Sequence, residues 1–119
     1  MSKFTMFRNQ PVESFLADAV IFQRGDPRTV MYVVIEGEVE IQLDDKVLEV
    51  VGPDGVFGEM AMVDGQARTA TAVARTACRL VPIDQRRFEF LVQQTPLFAI
   101  EVMRVLVARL RRVNQLMAA

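Results

Sequence analysis

From Ile35 to Leu43 the chain places Ile35, Gly37, Val39, Ile41 and Leu43 on one face and Glu36, Glu38, Glu40 and Gln42 on the other. A period of two belongs to a strand, because successive side chains leave the backbone on opposite sides. The pattern reads as a sheet with one side wet. Phe15-Leu16, Val20 to Phe22, Met31 to Val34, Val47 to Val51, Thr69 to Ala74 and Cys78 to Ile83 are further short apolar stretches. Turn signals separate them at Gly25-Asp26-Pro27, Asp44-Asp45-Lys46, Gly52-Pro53-Asp54-Gly55 and Asp64-Gly65. Glycine accepts positive φ and proline fixes its own. Many short strands at close spacing predict a closed or sandwich-like antiparallel architecture.

The period changes in the last third. Asp84 can cap a helix carrying Phe88, Leu91 and Val92 at helical spacing. Thr95-Pro96 is a cap followed by proline at the first helical position, where its missing N–H costs nothing. The helix that follows runs to the end, with an apolar stripe of Ile100, Met103, Leu106, Val107, Leu110, Val113 and Met117. Residues 1–12 show no sustained period and read as an N-terminal arm. The predicted order is an arm, a β-barrel over about residues 13–83 and helices over about residues 84–117.

Chemistry is bounded by two scarcities. The 119 residues include no histidine and one cysteine, Cys78. Structural zinc, His-based metal sites, Ser-His-Asp triads and Cys-His dyads are excluded, as is a disulfide within the chain. Apolar residues make up 51% and charged residues 24%, a globular balance, with no apolar run near the length of a spanning helix. The net charge of −1 disfavours a dedicated nucleic-acid binder. That value hides a separation. Glu13 to Asp64 holds twelve acids and three bases, whereas Gly65 to the end holds three acids and nine arginines. One reading is two solvated faces that attract each other; the other is that at least one of these arginines awaits an anion.

Residues 57–72, FGEMAMVDGQARTATA, interrupt the strands. Gly58 permits close approach of a backbone, Glu59 to Val63 can form one helical turn, and Arg68 returns at the head of the next strand. Two readings stand: a Glu59–Arg68 ion pair with a capping glycine, or a two-point grip on a ligand that has both hydroxyl and phosphate.

This segment closely resembles the phosphate-binding cassette of cyclic-nucleotide-binding domains, the family of the bacterial catabolite activator protein, kinase regulatory subunits and cyclic-nucleotide-gated channels. VMYVVIEGEVEI resembles the family's strand-turn-strand signature, VIFQRGD its opening hairpin, and ACRLVPIDQRRFEFLVQQTP the strand and helix after the cassette. The resemblance covers about residues 15 to 113. It implies a mainly β fold with flanking helices, an antiparallel jelly roll (double-stranded β-helix) followed by C-terminal helices.

It also implies roles. Gly58 would offer backbone to the ligand and Glu59 would accept the ribose 2′-hydroxyl. Backbone N–H groups near Met60 and Ala61 would face the cyclic phosphate, and Arg68 would pair with an equatorial phosphate oxygen, assisted by Thr69. A cyclic phosphodiester carries one negative charge, which one arginine plus a helix N-terminus can match. Ile41 and Leu48 fall where the family walls the base, with plain core packing as the other reading. Asn114 and Gln115 fall where helix side chains approach the purine edge, or else lie on a solvated helix end.

Some positions depart from the pattern. Gln66-Ala67 stands where proline is common, and Asp18 stands in a turn where glycine is frequent. No output segment follows Met117, so the reading is either a free-standing domain with a separate effector protein or part of a longer chain. The expected function is an intracellular, cytoplasmic receptor for a cyclic nucleotide, cyclic AMP first and cyclic GMP next, signalling by movement of the cassette and C-terminal helix. The alternative is a barrel of the same family without nucleotide, acting as a protein-interaction module. Catalysis, a cofactor, a metal, direct nucleic-acid contact and a membrane segment are not expected; a weak homodimer through the C-terminal helix is a further possibility.

Overall fold

The computed structural model describes residue 7, residues 10–27 and residues 29–118. The chain divides into two compact units, one ending at Gln85 and the other beginning at Arg86. The first unit holds eight strands and a short helix: β1 (Glu13–Phe15), β2 (Val20–Phe22), β3 (Val30–Glu36), β4 (Val39–Leu43), β5 (Lys46–Val51), β6 (Val56–Phe57), α1 (Met60–Asp64), β7 (Thr71–Ala74) and β8 (Cys78–Asp84). The second holds α2 (Gln85–Gln94, whose first residue closes the strand unit) and α3 (Pro96–Ala118). Of the 1–12 arm, residues 1–6 and 8–9 lie outside the described residues, while Phe7 is buried.

The strands form two four-stranded antiparallel sheets, ordered β1-β8-β3-β6 and β2-β7-β4-β5. This is the jelly-roll-like arrangement. Tyr32, Val34, Phe57, Cys78 and Leu80 from the first sheet bury against Val39, Val51, Ala72 and Ala74 from the second. Burial of such apolar faces at roughly 25 cal/mol per Å² is what holds the layers together. An aromatic row crosses this core: Phe15 meets Tyr32 edge-on at 6.5 Å, Tyr32 stacks on Phe57 at 5.2 Å, and Phe57 meets Phe22 at 5.9 Å.

The alternating stretch Ile35 to Leu43 is not one strand. β3 ends at Glu36 in the first sheet and β4 begins at Val39 in the second. Gly37 is the corner, with φ +92° and with space for no side chain: a Cβ there would lie 2.3 Å from the Ala77 carbonyl oxygen and 2.8 Å from Cys78 Sγ. Only glycine meets both demands cheaply. Three aspartates take positive φ at the other corners, Asp18, Asp44 and Asp54. Asp18 therefore takes a conformation that aspartate tolerates better than most L-residues. Lys46, read as part of the hairpin turn, pairs with Leu43 as the first residue of β5.

In the helical unit, Phe88 of α2 meets Phe98 of α3 at 5.7 Å, and Leu91, Phe98 and Val102 are buried. The expected stripe is largely exposed: Ile100, Met103, Val107, Leu110 and Val113 are open to solvent. Met117 lies outside the described side chains. No single helix among the described residues is long and apolar enough to cross a membrane.

Candidate functional site

Arg68 is the centre of the site, and its backbone is fixed before its side chain. After β2 the chain turns through Gln23 to Asp26, closed by the Gln23 N–H donating to Asp26 Oδ2 at 2.9 Å. That turn runs alongside the approach to β7. Gly25 N–H donates to the Arg68 carbonyl at 2.8 Å, Arg68 N–H donates to the Asp26 carbonyl at 2.9 Å, and Arg24 N–H donates to Thr71 Oγ1 at 3.0 Å. Arg68 thus belongs by its backbone to the β2–β7 edge of the second sheet.

Its side chain reaches the first sheet. Nη1 donates to the Gly58 carbonyl at 3.1 Å, just beyond β6, and Nη2 donates to the Val30 carbonyl at the head of β3. The third contact is a face: Cζ lies 4.0 Å from the centroid of the Phe22 ring, a cation–π distance. Arg68 is only 6% exposed, and its Nε has no hydrogen-bond partner among the described residues. Burial lowers the guanidinium's pKa, with Tyr32 and Asp26 acting in the opposite sense. Burial likewise raises the Tyr32 phenol, helped by Glu13 and opposed by Arg68.

The other described arginines of the strand unit behave differently. Arg79 pairs with Glu36 at 3.1 Å, Arg75 with Glu40 at 3.7 Å and Arg24 with Asp44 at 3.5 Å, all with largely exposed arginines. For Arg75 and Arg79 the separated charges of the sequence attract one another across the fold, at about 1 kcal/mol or less each. Arg68 forms no ion pair among the described residues. Its side-chain hydrogen bonds go to neutral carbonyls, so among the described residues no direct ion pair offsets its charge, in a place where burial makes that costly.

Gly58 serves this geometry directly. It has φ +79°, and a Cβ on it would lie 2.7 Å from Arg68 Nη1. Glu59 follows, completely buried, and its carbonyl accepts from Met62 N–H at 3.0 Å to start α1. Met60 is exposed on α1; Ala61 is in the same helix, with its side chain outside the description. Thr69 is exposed beside Arg68, and Asp64 Oδ1 accepts from Gln66 N–H at 2.9 Å to close the loop between them.

Gly58 and Arg68 are therefore in contact, and Glu59 and Thr69 flank them in sequence. Ile41 packs against the inter-sheet core from β4, whereas Leu48 stands 46% exposed on β5, at the edge of the second sheet. Asn114 is exposed on α3, in the other unit. Sequence reasoning missed Phe22 and the Val30 carbonyl. Neither carries a motif of its own; their part depends on a side chain about forty residues away. No cluster of three or more metal-ligating side chains occurs among the described residues.

Known proteins resemble this chain in sequence and in fold. Residues 12–95 match the profile of the cyclic nucleotide-binding domain. A CRP-like cAMP-activated global transcriptional regulator of Mycobacterium tuberculosis is 32% identical over 114 residues, covering 92% of this chain and 50% of that protein. The catabolite activator protein of Thermus thermophilus superposes with a TM-score of 0.80 at 25% identity, over 95% of this chain and 61% of that one. The EAL enzyme Bd1971 in its cAMP-bound form superposes at 0.68 with 31% identity, over 91% of this chain and 30% of that one. The chain thus spans about half the length of the regulator it matches.

Proposed function

The chain belongs to the cyclic nucleotide-binding domain family, and from that premise we propose that it is a receptor for a cyclic nucleotide, with cyclic AMP preferred over cyclic GMP. One observation carries this reading: a buried guanidinium, free of any ion pair among the described residues, its Nε–H without a partner there, held at the mouth of a glycine-bearing turn. A monoanionic phosphodiester supplies the missing charge. In this reading Arg68 binds an equatorial phosphate oxygen, Thr69 assists, and the N–H groups of Met60 and Ala61 face the phosphate. Gly58 lets the ligand approach, and Glu59 takes the ribose 2′-hydroxyl once the cassette shifts to uncover it. Ile41 and Leu48 flank the base, with Asn114 at its edge.

The preference for cyclic AMP is supported by the relative that its name calls cAMP-activated. Ligand would shift the cassette and the C-terminal helix between two populations, and the output would pass to an effector protein or a further segment, in the cytoplasm. The domain itself would regulate rather than catalyse. A second reading has its own support. Glu59 is wholly buried and Arg68 is already bonded to two carbonyls, as in a barrel that serves protein contacts instead of nucleotide.

Calorimetric titration with both nucleotides separates the two. Binding of cyclic AMP tighter than cyclic GMP is expected, and Arg68→Ala should cost about 2–5 kcal/mol of it, the usual loss when one member of a desolvated charge pair is removed. A loss of less than threefold in affinity would defeat the phosphate assignment.

A further inference from the structure

A carboxylate can aim an arginine through a bidentate pair, but it also cancels part of the arginine's charge. Arg68 is aimed without one. Its fork is pinned by carbonyls at the head of β3 and just after β6, and its Cζ lies over the Phe22 ring, at the end of β2. We propose that Phe22 is a positioning residue for the nucleotide phosphate: its ring holds the Arg68 guanidinium in place without a directly paired carboxylate, leaving its charge to be met by the ligand. The proposal rests on the nucleotide reading above.

Three features of the fold support the assignment. Phe22 pairs with Ala72 of β7 at a register shift, on the same sheet edge that carries the Arg68 backbone. Ring and guanidinium are therefore placed by one local structure. Phe22 is also backed by Phe57 at 5.9 Å, and Phe57 immediately precedes Gly58, whose carbonyl takes Nη1. A ring supported in this way resists sliding. Finally, the ring covers a face and the carbonyls take Nη1 and Nη2, so the unused Nε edge is left for an incoming oxygen. An aromatic face attracts a cation by its quadrupole but cannot neutralise it, unlike a carboxylate.

The test uses the whole chain in five forms: wild type, Phe22→Leu, Phe22→Tyr, Arg68→Met and the Phe22→Leu/Arg68→Met double variant. Cyclic AMP affinity should fall about 3- to 30-fold in Phe22→Leu, the range expected of a desolvated cation–π contact. Phe22→Tyr, which keeps the ring, should restore most of it. In the double variant the leucine should add no loss beyond that of Arg68→Met, because Phe22 acts only through the guanidinium. Losses that add, or equal losses in Phe22→Leu and Phe22→Tyr, overturn the proposal and make Phe22 ordinary packing.

A second readout needs no nucleotide. In the ligand-free wild type the Arg68 Nε–H proton resonance, identified by its disappearance in Arg68→Met, should be displaced by the ring current of Phe22. It should return toward the ordinary arginine position in Phe22→Leu. An undisplaced wild-type resonance overturns the proposal even if Phe22→Leu does not fold. Wild type that binds neither cyclic AMP nor cyclic GMP overturns the functional reading, and with it the phosphate role of the cradle. Wild type that binds while Phe22→Leu binds equally well overturns the positioning alone.

Discussion

At the scale of single residues, Gly58 meets two constraints at once, as Gly37 does at its corner. Its φ of +79° costs an L-residue about 1–2 kcal/mol. The missing Cβ also leaves room for Arg68 Nη1, which would otherwise lie 2.7 Å away. That neighbour is the far end of a flexible side chain, so Gly58→Ala should fold and displace Arg68 instead. The expected outcome is a melting temperature lower by a few degrees and nucleotide affinity lower by about tenfold or more. A variant that melts earlier yet binds normally would show that the contact is incidental. Tyr32 gives a pH prediction at the same scale. Burial raises its phenol above the ordinary 10.0. The folded state then holds this proton more tightly than the unfolded state, so the contribution is complete below the ordinary value and is lost as pH rises through the folded one. Tyr32 is the one tyrosine of the chain, so tyrosinate absorbance reports it alone. Its titration midpoint should lie above that of the urea-unfolded protein, and alkaline loss of stability should be shallower in Tyr32→Phe. Coincident midpoints in folded and unfolded protein would remove the phenol from the account.

At the scale of elements, periodicity found nearly every strand and both long helices, and its failures have physical causes. It joined β3 to β4 because alternation continues unbroken through Gly37. The corner there is imposed by Ala77 and Cys78, residues forty positions later that no local pattern contains. Likewise the cassette was legible as a motif, whereas Phe22 was not, since its role arises only when β2 and the approach to β7 run side by side. A helical stripe tells which face is apolar and not what covers it. On α3 the buried residues are Phe98 and Val102, while Ile100, Met103, Val107 and Leu110 remain exposed at spacings of three, four and three. These are the heptad spacings of a two-stranded coiled coil. A weak homodimer through α3 is therefore expected, visible as concentration-dependent mass in sedimentation. Leu110→Lys should abolish it with little change in melting temperature, because Leu110 is 60% exposed in the single chain. A monomer at all concentrations in the wild type would leave the stripe to another partner.

At the scale of the molecule, the site ties together parts of the strand unit that are far apart in sequence. The Arg68 backbone is bonded to the turn after β2, and its guanidinium to the start of β3 and to Gly58 just after β6. An anion bound at Nε would thus be linked to both sheets at once, and ligand affinity should appear as global stability of that unit. A ligand that binds only the folded state at about 100 times its dissociation constant adds about 2.7 kcal/mol to the unfolding free energy. Urea unfolding with saturating cyclic AMP should show that increase at an unchanged slope, and none in Arg68→Ala. Run in parallel, the two nucleotides also rank themselves: at equal concentration, each tenfold difference in affinity separates their stabilisation by about 1.4 kcal/mol. A shift for cyclic GMP at least as large as that for cyclic AMP would reverse the proposed preference while keeping the receptor. Equal, small shifts in wild type and Arg68→Ala would mean that the nucleotide binds away from the guanidinium. The protein-interaction reading would then be favoured, because the buried charge would have no phosphate to meet.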